Sequence, residues 1–100
     1  MNPSFEWDES KARDNLRKHG VNFHEAVTVF VNPLSAIFAD PVHSQQELRE
    51  IIVGHSVDDR VLVVSFTERA ESVRIISARV ATAAERKAYE ESPLGGWKDE

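Results

Sequence analysis

Arg60-Val-Leu-Val-Val-Ser-Phe-Thr67 and Ser72-Val-Arg-Ile-Ile-Ser-Ala-Arg-Val80 decide the fold. Both runs are dense in β-branched and aromatic residues, which fit a pleated, half-buried surface. A third run of the same kind, Leu48 to His55, precedes them, and short polar segments separate the three. Asp58-Asp59 and Arg69-Ala70 are the expected turn centres, although neither has the Gly of an ideal two-residue hairpin. Two-residue turns set Val53 opposite Val64 and Val64 opposite Ile75. One face then carries Ile51, Val53, Leu62, Val64, Phe66, Val73 and Ile75, and helices should cover it. The other face carries Glu50, Ile52, Val63, Ser65, Thr67, Arg74, Ile76 and Ala78. A one-residue change in either turn swaps a strand's faces, because side chains alternate with period two.

Working outward, Ser35 to Asp40 reads as a further strand and Phe5-Glu6-Trp7 as a short one. Asp8 caps a predicted helix that runs to His19, and Gly20 stands where a C′ glycine belongs. Asn22-Phe-His-Glu25 resembles a capping box, and Phe23, Ala26, Val27 and Phe30 form one apolar stripe behind it. Asn32-Pro33 ends that helix. Thr82-Ala-Ala-Glu85 is a second capping box, opening a helix to about Glu91. The order is β-α-α-β-β-β-β-α. This is an α+β fold with an antiparallel sheet of four to five strands, two N-terminal helices and a C-terminal helix.

The chain has 100 residues, enough for one domain over 1–100, with a frayed tail expected over 92–100. It contains no Cys, which excludes a disulfide framework, a thiolate metal site and a cysteine nucleophile. The net charge of −5 argues against binding duplex nucleic acid through bulk positive charge. Charge is unevenly placed: residues 21–60 carry two basic and six acidic residues, whereas residues 61–80 carry three Arg and two Glu. The N-terminus lacks the basic and apolar regions of a signal peptide, and no apolar run approaches the ~20 residues that span a bilayer. A cytoplasmic protein with no membrane association is the expectation.

Certain residues carry a resemblance. Phe5-Glu-Trp-Asp8, Lys11, Asn15-Leu-Arg-Lys-His-Gly-Val21, Phe23-His-Glu-Ala26 and Val29-Phe30 resemble the opening of the BrnT toxins. Leu62-Val-Val-Ser-Phe-Thr-Glu-Arg69, Arg74-Ile-Ile-Ser-Ala-Arg79 and Glu85 to Tyr89 resemble the rest of that pattern. The likeness covers about residues 5 to 91 in order; residues 42–47 and the tail from Ser92 fall outside it. It implies a RelE-like fold and a type II toxin–antitoxin toxin that cuts RNA and thereby blocks translation. It also implies a BrnA-like antitoxin with a ribbon-helix-helix module, a heterotetramer, and joint repression of the shared operon. Operator DNA is then touched only through the antitoxin, and no cofactor is needed.

A metal-independent endoribonuclease needs a base near the attacking 2′-OH, an acid near the leaving oxygen, and cations for the phosphorane. Arg74 is the first candidate, mid-strand on the open face, because its planar fork suits phosphate. The bland alternative is a surface arginine lying over its neighbours. Arg79 falls on the opposite face by parity, where an ion pair with a helix carboxylate competes with an RNA role. Glu68 and Arg69 sit in a hairpin and offer a base and a clamp, or only a turn. His19 ends the first helix as a C-terminal cation, and imidazole is also the side chain suited to acid–base work near neutrality. Lys11, Asn15 and Lys18 share one side of that helix as an RNA-binding face; a solvated helical face is the plainer reading. His55 is expected to be structural, and His24 and His43 exposed. Tyr89 packs on the sheet, Trp7 staples the first helix, and Trp97 is a stray aromatic. The four His lack metal-ligand spacing, so no metal is expected. A second reading is a non-catalytic binding module that acts as co-repressor with its partner.

Overall fold

The computed structural model describes residues 4–43 and 47–91, so Trp97 and the tail lie outside the described residues. The elements are β1 (Ser4–Glu6), α1 (Glu9–His19), α2 (Phe23–Phe30), β2 (Ala36–Ala39), one 3-10 turn (Pro41–His43), β3 (Glu50–His55), β4 (Val61–Arg69), β5 (Ser72–Val80) and α3 (Ala83–Glu91). They build one five-stranded sheet in the order β1-β5-β4-β3-β2. The expected element order and α+β class hold. The sheet is mixed rather than antiparallel, because β1 runs parallel to β5, with Phe5 opposite Val73 and Glu6 opposite Arg74.

Local chemistry fixes the helix ends. The Asp8 carboxylate accepts from the Lys11 N–H at 3.0 Å, and Gly20 adopts φ 70°, donating its N–H to Leu16. The Asn22 side chain accepts from the Glu25 N–H at 2.7 Å. Glu25 does not complete that capping box. Its buried carboxylate accepts instead from Ser56 at 2.6 Å and from the Arg60 Nε at 3.0 Å, and Arg60 also donates to the Gly20 carbonyl at 3.1 Å. Those bonds hold the Glu25 carboxyl below its usual range, Arg60 contributing most and burial opposing. At α3 the box is reciprocal: the Glu85 N–H donates to Thr82 Oγ1 at 3.1 Å, and the Thr82 N–H donates to the Glu85 carboxylate at 2.9 Å.

The register departs from the two-residue-turn arithmetic, in two places. The β3–β4 loop holds five residues, Ser56 to Arg60, so Val53 faces Val63 and Ile52 faces Val64. That single-residue slip turns β3 over: Ile52, not Ile51 and Val53, lies under α1 and α2. At the second hairpin Arg69 opposes Ser72, which moves the pairing by two and leaves faces unchanged near the turn. A bulge then intervenes. Phe66 opposes Ile75 but Ser65 opposes Ser77, so Ile76 is the extra residue. Beyond it parity reverses: Val64 faces Ala78 rather than Ile75, and Ala78 joins the helix-covered face.

The core therefore has two sides. Phe23, Ala26 and Val29 of α2 pack against Leu62, Val64 and Phe66 of the sheet, all at most 1% exposed. Phe5, Phe30 and Phe66 stack edge to face in sequence, with centroids 5.1 and 5.0 Å apart. The opposite side holds a smaller cluster, Val53, Val61, Val63 and Tyr89. Tyr89 anchors α3 there and donates its hydroxyl to the Leu34 carbonyl at 3.1 Å. His55 lies on this side too, 5.9 Å from the Tyr89 ring.

Candidate functional site

β1 is three residues long and stops opposite Arg74; among the described residues no strand neighbours the outer edge of β5 beyond it. Asn15 takes over at Ala78. Its amide donates to the Ala78 carbonyl at 2.8 Å and the Val21 carbonyl at 2.9 Å, and its oxygen accepts from the Ala78 N–H at 3.1 Å. A side chain thus imitates a strand, and its cost of burial is offset by full satisfaction. Past Ile75, the residues Ile76 and Ser77 lie at the bulge, before Ala78.

These two residues form a saddle between two hollows. On the α1 side, Lys11, Asp14, Asn15, Lys18 and His19 surround a depression of about 230 Å³ whose wall is Ile76 and Ser77. Across the saddle is a hollow of about 380 Å³ that includes Asp40, Arg49, Ser65 and Arg79 with the same Ile76 and Ser77. The bulge made this convergence. Without it, strand alternation sends Arg79 to the α1–α2 side, where the sequence placed it; with it, Arg79 returns to the open side. The expected ion pair is real: Arg79 holds Glu85 with a two-pronged contact at 2.7 and 2.9 Å. Arg79 pulls the Glu85 carboxyl down to about 2, with the Thr82 bonds assisting against burial.

Arg74 lies opposite Thr67 on the same side and pairs with Glu6 at 3.3 Å. It also faces Asp8, whose carboxyl is lowered first by the Lys11 N–H and further by the Lys11 and Arg74 charges. Glu68 and Arg69 are not brought together. By alternation Glu68 shares the Phe66 side; burial raises the neighbouring Glu50 carboxyl, and the like charge of Glu68 raises it further. Arg69 turns to the other side and pairs with Glu47 at 3.2 Å. Of the three α1 side chains expected to form an RNA-binding face, Lys11 and Lys18 are exposed, while Asn15 is buried and fully engaged. Arg49, which sequence reasoning missed, lies in a short segment whose partners across the fold no local pattern reveals. Among the described residues no three of His, Asp and Glu converge as a metal-ligand group.

A mixed five-stranded sheet packed by two helices on one side, with a bulge flanked by Lys11 and Lys18 toward α1 and by Arg49 and Arg79 toward the open side, among the carboxylates of Asp14 and Asp40, defines a small α+β protein with a cluster of charged groups at that bulge. The family described as "Ribonuclease toxin, BrnT, of type II toxin-antitoxin system" matches residues 7–85, and the chain belongs to it. The fold is similar to the crystal structure of the Brucella abortus ribonuclease toxin BrnT, with a TM-score of 0.65 and 21% identity over 81% of this chain and 99% of that one. Among curated proteins no sequence matches. Membership in a type II family implies an antitoxin partner. Among the described residues no helix is long and apolar enough to cross a membrane.

Proposed function

We propose that the chain is a metal-independent endoribonuclease that uses the open face around the Ile76–Ser77 bulge. The convergence of Lys11, Lys18 and His19 on one side of that saddle, and Arg79 and Arg49 on the other, carries the reading. The 2′-oxygen attacks the adjacent phosphorus while the P–O5′ bond breaks, leaving a cyclic phosphate and a free 5′-hydroxyl. A base removes the 2′-OH proton and an acid protonates the leaving oxygen. His19, at the rim, takes one of those proton-transfer roles. Arg79 and Arg74 stabilise the phosphorane, whose extra charge a planar fork meets at two points. Lys11 and Lys18 hold flanking phosphates. Asn15 positions α1 through the backbone it bonds. Glu68 and Arg69, at the far hairpin, are the reserve candidates for base and clamp.

Loss of RNA stops translation. A BrnA-like antitoxin with a ribbon-helix-helix module neutralises the toxin in a heterotetramer and represses the operon with it. The acidic segment from 21 to 60 suits a basic partner of this kind. Expression of the isolated chain is expected to arrest growth, and purified protein to cut RNA in excess chelator. Arg79→Ala and Arg74→Ala chains that still bind antitoxin should do neither. A wild-type chain that binds antitoxin and operator complex but cuts no RNA would instead make it a non-catalytic co-repressor module.

A further inference from the structure

β2 is the outermost strand of the sheet, and among the described residues no strand pairs with its outer edge. The phase of its hydrogen bonds is set just past its end, where the Asp40 N–H donates to the Arg49 carbonyl at 3.0 Å. Bonded residues alternate along an antiparallel ladder, so Phe38 and Ala36 direct their backbone groups to Ile51 and Val53. Ile37 and Ala39 therefore turn an N–H and a carbonyl each away from the sheet. Edges of this kind are commonly guarded by charged side chains. Here residues 31–42 contain Asp40 as their one charged residue, in a chain that is 29% charged. Val31, Leu34, Ile37 and Val42 from this stretch are 54 to 73% exposed. Pro33 and Pro41, which have no N–H, stand on either side of β2 and limit the pairing edge to its own length.

We propose that the outer edge of β2 pairs antiparallel with β2 of a second copy of this chain, about a twofold axis at Phe38, joining the two sheets into one. The match is self-complementary. The axis sets Ile37 opposite Ala39 of the second copy and Ala39 opposite its Ile37, so every outward N–H meets an outward carbonyl. Opposed residues share a face. Ile37, which lies on the helix-covered side with Ile52, packs a large side chain against a small one. The two Phe38 rings meet across the axis on the open side, next to Ile51. Charge selects the same occupant. Two chains of net charge −5 repel, and a stretch with one carboxylate is where they can approach; a strongly basic partner or RNA finds little there to hold. The opposite edge of the sheet offers no such match, because β1 is three residues long and Asn15 occupies β5 at Ala78. Pairing therefore closes at two copies instead of growing into a fibre. The contact is small by the standard of specific interfaces, so dissociation on the order of 10 μM is expected. The inference is independent of the ribonuclease reading.

The test is sedimentation velocity of the full chain, free of antitoxin, from about one-tenth to ten times the expected dissociation constant. The wild type should pass from monomer to dimer and stop there. Ala39→Pro deletes an outward N–H that β3 does not use, and Ile37→Lys puts a charge on the edge; circular dichroism and thermal melting establish that each folds. Both should raise the dissociation constant at least about tenfold, while Leu16→Lys, an exposed position on α1, should leave it unchanged. In the wild type, amide exchange at Ile37 and Ala39 should slow as concentration rises, with Phe38 already protected in the monomer. The chain has no Cys, so Phe38→Cys supplies a single thiol. Opposed residues of a non-bonded pair have Cα atoms about 4.5 Å apart, within reach of a disulfide, so oxidation should join two copies. A wild type that stays monomeric throughout would overturn the proposal. So would a dimer that survives both edge variants, one that Leu16→Lys also breaks, or one that Phe38→Cys does not cross-link. Protection of Ile37 and Ala39 that appears only with antitoxin or only with RNA would give the edge to that partner and overturn it as well.

Discussion

Val63 and Val64 are neighbours on one strand and live in different environments. Val64 is fully buried under α1 and α2, within a dense cluster to which Phe5, Phe23, Phe30 and Phe66 contribute. Val63 is 7% exposed and belongs to a four-residue cluster that also lines two hollows. One face of the sheet is closed by helices. The other is half-covered by α3 and keeps arginines, hydroxyls and open volume. A small domain can afford one well-packed side and leave the other for recognition, because burial of one face already supplies most of its cohesion.

The largest effect should come from the closed face. Phe66→Ala removes a ring that is 1% exposed and in edge contact with Phe30, so a loss of about 3–5 kcal/mol is expected in denaturant unfolding. Asn15→Ala comes next. It strips three hydrogen bonds from the backbone of Val21 and Ala78 and leaves those groups buried; about 2–4 kcal/mol is expected. A stability change under about 0.5 kcal/mol at Asn15 would mean that water replaces the amide, and that α1 is not tied to β5 through it.

On the open face the balance should reverse. Arg79→Ala should reduce RNA cleavage by about 100-fold or more, the scale of losing one transition-state donor. Its unfolding free energy should fall by no more than about 1 kcal/mol, because the Arg79 side chain is 41% exposed and its pair with Glu85 is screened. Val64→Ala and Val63→Ala sharpen the contrast. The first should cost about 1–3 kcal/mol with normal activity per folded molecule. The second should cost less and raise KM. The reverse result would invert the face assignment.

Acid should release the Arg79–Glu85 pair on the open face. Glu85 is lowered in the fold, to about 2 from an ordinary 4.5, so its contribution is complete above the unfolded value and disappears as pH falls through the folded one. Thermal stability should therefore decline between about pH 4.5 and 2, and Glu85→Gln should flatten that part of the curve. An unchanged slope in Glu85→Gln would assign the acid loss to Glu25 and Asp8, whose carboxyls are lowered as well. The smallest effect is reserved for Lys18→Ala. Melting should not move, while the salt dependence of RNA binding should become shallower by roughly one phosphate contact.

The sequence by itself determined the elements and their ends. Capping and periodicity are local physics: Asp8, Gly20, Asn22 and Thr82 each act on backbone groups within four residues, and they do so here as their positions foretell. Local patterns also gave β5 its bounds and carried the family likeness. Only the tertiary structure decided which way the strands face. A five-residue loop in place of a two-residue turn reversed β3, and a bulge at Ile76 reversed the end of β5. Because side chains alternate with period two, each single-residue irregularity carried an entire set of side chains to the other side of the sheet. That is how Arg79 reached the open face, and why Arg49 beside it went unseen. The parallel docking of β1, the strand-like amide of Asn15 and the Glu25–Arg60 pair share the same origin. Each joins residues between 35 and 68 positions apart, where no local spacing speaks and only the closed fold brings the groups into contact.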